Sequence, residues 1–215
     1  MPPTPFVHIT RRAAAIVGAA AIVASAGCGD ALRTSRSSAI LIISSLEVAS
    51  GADPTKFGNV LNSDVETLVS SSVNGQTVSV PTVFNDPATV TFRVEMKNPL
   101  SPTAPGAIND ITITRYHVTY KRADGRNTPG VDVPYGFDGA FTVTVPLGGS
   151  AQGGFDIVRH QSKRVPPLSN MRGGGGAQLL TVIAEVTFYG TDQAGNEISA
   201  TGSVSINFAD FGDPS

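Results

Sequence analysis

The stretch Thr89–Lys97 reads Thr-Val-Thr-Phe-Arg-Val-Glu-Met-Lys, and it decides the fold. Its apolar residues occupy every second position, and polar or charged residues fill the positions between them. This alternation predicts a β-strand with one face in a core and the other face in water. The same pattern recurs in Ala140–Leu147 and Ile198–Phe208, so three strands of this kind are expected.

Other segments extend the β pattern in less regular ways. Leu180–Phe188 is apolar on both faces for part of its length, which predicts a central strand. Ile111–Tyr120 changes its alternation phase near Thr114–Arg115, which indicates either a β-bulge or a strand that passes between sheets. Three other segments also predict strands: Ala39–Val48, Val78–Val83 and Phe155–His160. The segment Val60–Val69 is ambiguous between a strand and one or two helical turns.

Frequent turns and the near absence of a helical period predict an all-β antiparallel sandwich. The segment Thr191–Asn196 reads Thr-Asp-Gln-Ala-Gly-Asn and resembles the T-D-x-A-G-N hairpin of bacterial immunoglobulin-like domains. In such a turn Asp192 caps the backbone and Gly195 takes a positive φ. The resemblance implies an antiparallel immunoglobulin-like β-sandwich with long loops, preceded by a signal or anchor segment. We expect a single sandwich domain over residues 39–211, because no linker-like composition divides it.

Residues 1–27 have the parts of a secretory signal peptide. Arg11 and Arg12 precede the apolar stretch Ala13–Ala26, and small residues stand immediately before Cys28. A charged start, a short apolar run and small residues before a cleavage site are the elements that direct export.

The run Ala26-Gly27-Cys28 resembles the end of a bacterial lipoprotein signal, although Ser25 stands where that family usually has an aliphatic residue. The resemblance implies that the Cys28 thiol is acylated, with palmitate as a typical chain, and that residues 28–38 form a lipidated tether to membrane lipid. Gly29 follows the cysteine in place of the Asp that retains such proteins at the inner membrane of enteric bacteria. The resemblance therefore implies anchoring at the cell envelope, at the outer membrane.

Two other interpretations of the leader remain open. Ala24-Ser25-Ala26 is an A-x-A site, so cleavage after Ala26 would release a soluble protein. The apolar stretch could also stay uncleaved as an anchor. Cys28 is the only cysteine, and a lone thiol in an oxidising compartment is a liability unless it is modified, which favours lipidation.

The chain after the leader is mildly acidic and poor in charge. Removing Arg11 and Arg12 from the 15 basic residues leaves 13 against 17 acidic residues, a net charge of −4. This balance gives no attraction to nucleic acid, so no nucleic-acid partner is expected. One cysteine cannot form an internal disulfide, so the domain depends on its core for stability.

No motif for catalysis, metal binding or cofactor binding is present in the sequence. The two histidines after the leader, His117 and His160, have no partner at metal-ligand spacing, and both are expected on the surface. We therefore predict a protein without enzymatic activity, without a cofactor and without a metal site.

The loop Ala123–Gly139 is the first candidate binding surface. Loops on a rigid sandwich commonly carry recognition, and Arg126, Tyr135 and Phe137 are the side chains in this loop that would hold a partner. The alternative is that the two aromatic side chains fold back over the edge of the core.

A basic segment is the second candidate surface. It includes Arg159, His160, Lys163, Arg164 and Arg172, which could meet acidic lipid headgroups or a polysaccharide. The alternative is a solvated loop without a ligand.

These patterns favour a membrane-anchored envelope lipoprotein whose non-catalytic sandwich serves in binding, adhesion or assembly, with an envelope protein or a glycan as its partner. The alternative is an envelope enzyme or an accessory module that acts on glycans. A hydrolase of that kind needs two carboxylates in one cleft, and the absence of Trp argues against a sugar-stacking platform. Four acidic residues are available for the hydrolase alternative: Asp110, Asp124, Asp132 and Asp138.

Overall fold

A computed structural model describes residues 36–100, 106–173 and 178–211. Ten strands account for most of these residues. The strands are β1 (Ala39–Val48), β2 (Val60–Asp64), β3 (Thr67–Val73), β4 (Gln76–Thr82), β5 (Asp86–Met96), β6 (Ile111–Lys121), β7 (Phe137–Val145), β8 (Ser150–Val158), β9 (Leu180–Asp192) and β10 (Glu197–Ala209). The helical elements among the described residues are α1 (His160–Lys163) and two 3₁₀ turns, Ala107–Asn109 and Leu168–Met171. Within the described ranges, no helix is long and apolar enough to cross a membrane.

The strands form an all-β sandwich, which confirms the predicted fold class. One sheet has the order β1-β5-β8 and the other has the order β2-β10-β9-β6-β7. Strand β1 pairs with β5, whereas β2 pairs with β10 in the opposite sheet, so the chain passes from one sheet to the other between Val48 and Val60. The β2–β10 pairing is parallel and is the exception among the antiparallel pairs of the two sheets.

Aromatic side chains from both sheets fill the centre of the core. The Phe188 ring on β9 lies 4.9 Å from the Phe92 ring, 5.4 Å from the Phe141 ring and 5.3 Å from the Phe155 ring, measured between centroids. The interplanar angles of these contacts are 61° to 90°, the edge-to-face geometry that aromatic pairs prefer. Phe92 and Phe155 come from the smaller sheet, so the cluster joins the two layers.

A β-bulge in β6 explains the phase change seen in the sequence. The register with both neighbouring strands shifts between Ile113 and Arg115, so the structure selects the bulge from the two predicted explanations. The bulge returns Tyr116 and Tyr120 to the buried face. The Tyr120 hydroxyl then donates a hydrogen bond to the carbonyl of Ile157 across the sandwich at 2.7 Å. The bulge therefore keeps the second half of the strand in contact with the core.

The ambiguous segment Val60–Val69 contains two stretches of strand, separated by a bend at Val65 and Glu66, and no helical turn. It includes β2 and the start of β3, and β3 continues into an antiparallel hairpin with β4. Asn74 and Gly75 form the two-residue turn with φ angles of 53° and 78°. Positive φ at both positions is the type I′ geometry whose twist matches that of paired strands.

The Thr191–Asn196 turn has the predicted geometry. The Asp192 carboxylate accepts hydrogen bonds from the backbone N–H of Ala194 at 3.0 Å and of Asn196 at 2.9 Å, and Gly195 has a φ of 82°. By contrast, the strand predicted over Phe155–His160 ends at Val158, and His160 begins α1 instead.

Candidate functional site

The two surfaces that the sequence predicts separately meet in one open pocket of about 400 Å³. We call it the loop–helix pocket. One wall is the segment before β7, and the other wall is the chain around α1. Its lining residues are Tyr135, Gly136, Phe137, Arg159, Gln161, Ser162 and Val165.

Arg159 and Phe137 join the two walls of the pocket. The Arg159 guanidinium lies 4.0 Å from the centroid of the Phe137 ring, and it donates a hydrogen bond to the carbonyl of Asp138. A guanidinium over an aromatic face is attracted by the negative charge density of the ring. Because Phe137 also packs edge-on against Tyr116 of the core at 6.1 Å, the arginine is held on a fixed support.

Tyr135 is the exposed aromatic side chain of the pocket. It is 56% exposed, whereas Phe137 is half-buried against the core. Phe137 therefore takes the predicted structural role of covering the core edge. Tyr135 faces solvent, as the predicted binding role requires. Gly130 makes room for the Tyr135 ring, since a Cβ atom at Gly130 would lie 2.3 Å from the tyrosine hydroxyl oxygen. Buried Val133 anchors the same loop.

Asn85 fixes the beginning of α1. Its side-chain carbonyl accepts a hydrogen bond from the His160 backbone N–H at 2.7 Å and contacts the His160 Nδ1 at 2.9 Å. Its amide donates to the Asp156 carboxylate at 2.9 Å. One side chain at the entry to β5 thus holds α1 against the end of β8, and this positions Gln161 and Ser162 in the pocket wall.

Asp86, the next residue, fixes the end of α1. Lys163 Nζ lies 2.9 Å from Asp86, and the Ser63 hydroxyl and the Gly51 N–H also donate to this carboxylate, at 2.6 and 2.8 Å. Lys163 is 1% exposed and Asp86 is fully buried. The prediction that Lys163 belongs to a surface basic segment is therefore wrong, because its ammonium group turns inward to neutralise a buried carboxylate.

The remaining predicted binding residues lie outside the pocket lining. Arg126 is exposed and pairs with Asp124 at 3.1 Å, and Arg122 binds the same carboxylate at 2.6 Å. The hydrogen bond from Arg122 is the main cause that holds the pKa of Asp124 below its usual range. Arg164 is exposed just after α1. Arg126 therefore pairs with a residue of its own loop, and Arg164 lies next to the pocket in the chain without lining it.

A second pocket has a volume of about 460 Å³, and Tyr116 and Asp156 are among its lining residues. Burial raises the pKa of Asp156, although the positive charge of Arg159 opposes the shift. Burial likewise raises the pKa of Tyr116, whose hydroxyl donates to the Asp156 carbonyl at 3.1 Å. Asp156 is the one carboxylate among the residues that line this pocket.

The four carboxylates named for a hydrolase each have a local partner. Asp110 accepts from the Leu147 N–H, Asp132 accepts from the Thr128 N–H, and Asp138 accepts from His117 Nδ1 at 3.0 Å. Asp124 binds the two arginines described above. In the parts of the chain that the structure describes, no group of three potential metal ligands is present.

Several site residues have no clear signal in the sequence. Gln161 and Ser162 line the pocket because α1 turns at His160, which the sequence does not indicate. Asn85 and Asp86 stand immediately before Pro87, and polar residues before a proline usually indicate a turn. Cys28, the predicted lipidation site, lies outside the described residues, as do most of the signal and tether segments.

Comparison with known proteins adds little to these observations. No protein-family model matches the chain, and no curated protein is similar to it in sequence. Among solved structures, the chain is similar to the X-ray structure of Northeast Structural Genomics Consortium target SoR45. The TM-score is 0.34 and the sequence identity is 10%, over 78% of this chain and 84% of that chain. A similarity of that degree supports no conclusion about fold or function.

Proposed function

We propose that this protein is an exported envelope lipoprotein that binds a partner protein through the loop–helix pocket. Acylated Cys28 attaches the chain to the membrane, the segment after it acts as a tether, and the sandwich presents the pocket to the partner. The activity is recognition and not catalysis.

One observation carries this proposal: exposed Tyr135 lines the same pocket as Arg159, whose guanidinium lies over the Phe137 ring. Tyrosine and arginine are enriched among the residues that contribute most to protein–protein binding, since each combines apolar area with directional hydrogen bonding. Asn85 and Asp86 hold α1 at both ends, so the wall that carries Arg159 is ordered before a partner arrives. Preorganisation of this kind reduces the entropic cost of binding.

The pocket favours a protein partner over a glycan. It offers one exposed ring and a volume of about 400 Å³, which suits one or two inserted side chains of a partner. A glycan partner, the second candidate from the sequence, is a distinguishable outcome of the binding experiment described next.

Replacing Tyr135 with alanine is expected to weaken partner binding by roughly 30-fold, about 2 kcal/mol. The free energy of unfolding should change by less than about 0.5 kcal/mol, because the side chain is exposed. The partner is first captured in intact cells by a photo-crosslinking amino acid at position 135 of the full chain. The affinity of the purified partner is then measured for the wild-type protein and for the Tyr135→Ala variant.

Leu179 provides the matched control for capture, because it is 63% exposed on the chain just before β9. A photo-crosslinker at position 179 should not capture the same partner. If position 135 captures no protein but binds purified envelope glycan, the glycan candidate replaces the protein partner. If Tyr135→Ala changes stability and leaves binding unchanged, the loop is structural and the proposed site is wrong.

The lipid anchor is tested independently of the pocket. Cells that express the full chain are fed a labelled fatty acid, and the label is expected on the wild-type protein and not on the Cys28→Ala variant. The variant should also leave the membrane fraction, because acyl chains supply the membrane affinity. Label that persists on the variant, or a wild-type protein without label, contradicts the anchor.

A further inference from the structure

We propose that the β3–β4 hairpin, residues 67–82, is a surface through which two copies of this chain associate. We call it the hairpin arm. Within the described residues, β3 and β4 pair with each other and with no other strand. The arm is therefore a separate two-stranded sheet inserted between β2 of one sheet and β5 of the other.

One face of the arm is apolar and open to solvent. The register pairs Val69 with Val80, Ser71 with Val78 and Val73 with Gln76, so four valines share this face with Ser71 and Gln76. The four valines are 37% to 50% exposed. We call this surface the valine face. A two-stranded hairpin is marginally stable in water, and it becomes stable when an apolar face packs against another layer.

The composition of the arm indicates which partner covers this face. Residues 67–82 contain no charged side chain, whereas the whole chain has 15 basic and 17 acidic residues. When identical surfaces meet about a twofold axis, a charge near the axis faces its own copy, and like charges repel. A charge-free valine face carries no such penalty, so two copies can pack these faces together without charge repulsion.

The covalent structure of β4 favours contact between faces over addition of strands at its outer edge. Pro81 has no N–H and so cannot donate a hydrogen bond to a strand added beside β4. Proline at a sheet edge is one of the devices that discourage edge-to-edge pairing. Packing of two valine faces leaves the edges unchanged and buries apolar side chains from both copies. It places Ser71, in the middle of the face, close to its symmetry mate.

Cysteine crosslinking in the full chain tests this arrangement with neighbouring positions as mutual controls. Ser71 lies on the valine face and Ser72 lies on the opposite face, and both are exposed. Under mild oxidation, Ser71→Cys is expected to form a disulfide-linked dimer, and Ser72→Cys is expected to stay largely monomeric. Equal crosslinking at both positions overturns the proposal, and so does the absence of crosslinking at position 71. The second result is expected if another segment or another protein covers the valine face.

A charge variant supplies a second, non-covalent measurement. The mass of the purified full chain is measured by light scattering over a range of concentrations, and a concentration-dependent dimer is expected. Val80→Lys should raise the dimer dissociation constant at least tenfold, because it places a charge on each of two facing copies. Ile183→Lys is the matched control, since Ile183 on β9 is 40% exposed and Val80 is 41% exposed. A wild-type monomer at all concentrations, or a dimer that Val80→Lys leaves intact, refutes the proposal.

Discussion

Replacing Lys163 with methionine is expected to lower the free energy of unfolding by about 3–5 kcal/mol, the range observed when one member of a buried ion pair is removed. Methionine has a similar length and removes the charge. The Asp86 carboxylate would keep its hydrogen bonds from Ser63 and Gly51, but its negative charge would remain fully buried without a cation. Taking an ionised carboxylate out of water without compensation is among the largest single costs in a folded protein.

Equilibrium unfolding in urea, followed by far-ultraviolet circular dichroism, measures this effect. The chain contains no Trp, so indole fluorescence is not available as a probe. Lys97→Met is the matched control, because Lys97 is exposed and its loss should cost less than about 0.5 kcal/mol. Equal stability of the two methionine variants would show that the Lys163–Asp86 pair does not stabilise the fold.

A double variant separates the buried charge from lost packing. Asp86→Asn removes the carboxylate charge and keeps a side-chain oxygen that can accept from the Gly51 N–H. Combined with Lys163→Met, it is expected to recover roughly half of the stability lost in the single variant, because no uncompensated charge remains buried. If the double variant is less stable than Lys163→Met, the stability lost in the single variant comes from packing around α1 and not from the buried charge.

Replacing Phe188 with alanine is expected to destabilise the sandwich by about 3–5 kcal/mol, the usual cost of removing a buried aromatic ring. Phe188 is fully buried, and its ring contacts three phenylalanines that belong to both sheets. The cavity left by its removal would lie at the junction of two layers, where no single strand can move to fill it. A residual cavity adds to the loss of hydrophobic transfer free energy.

Ile183→Ala on the same strand is the control for Phe188→Ala. Ile183 is 40% exposed on the outer face of β9, so the loss of its side chain should cost about 1 kcal/mol or less. Urea midpoints for the wild type and the two variants provide the comparison. A Phe188→Ala variant that loses less than about 1.5 kcal/mol would show that the core collapses around the missing ring, since the cost depends on how well a site relaxes.

Local patterns in the sequence predict most of the strands. Thr89–Lys97 alternates strictly and lies largely within β5, and Ala39–Val48 is β1. The phase change in β6 can also be read along the strand, and the register of the folded sheet identifies its cause as a one-residue bulge. Asn74-Gly75 is a strong hairpin signal that resolves the region after Val60, because these two residue types readily accept positive φ.

The binding pocket depends on contacts that no local pattern indicates. Tyr135 and Phe137 are recognisable as loop aromatics, but only the fold decides that Phe137 packs on Tyr116 and that Tyr135 stays exposed. Arg159 joins them because β8 ends beside the start of β7, and the two positions are more than twenty residues apart in sequence. These side chains are therefore recognisable in the sequence, and only the folded chain brings them together.

By itself, the sequence determined the all-β sandwich, the phase change in β6 and the Asp192 turn, because each of these is set by the side-chain period or by backbone preferences over a few residues. The tertiary structure decided the burial of Lys163, since the carboxylate that draws it inward belongs to Asp86, 77 residues away in the chain. It also decided the passage of the chain from β1 in one sheet to β2 in the other. A charged side chain is exposed or buried according to the partner it meets, and that partner is known only when distant strands have packed.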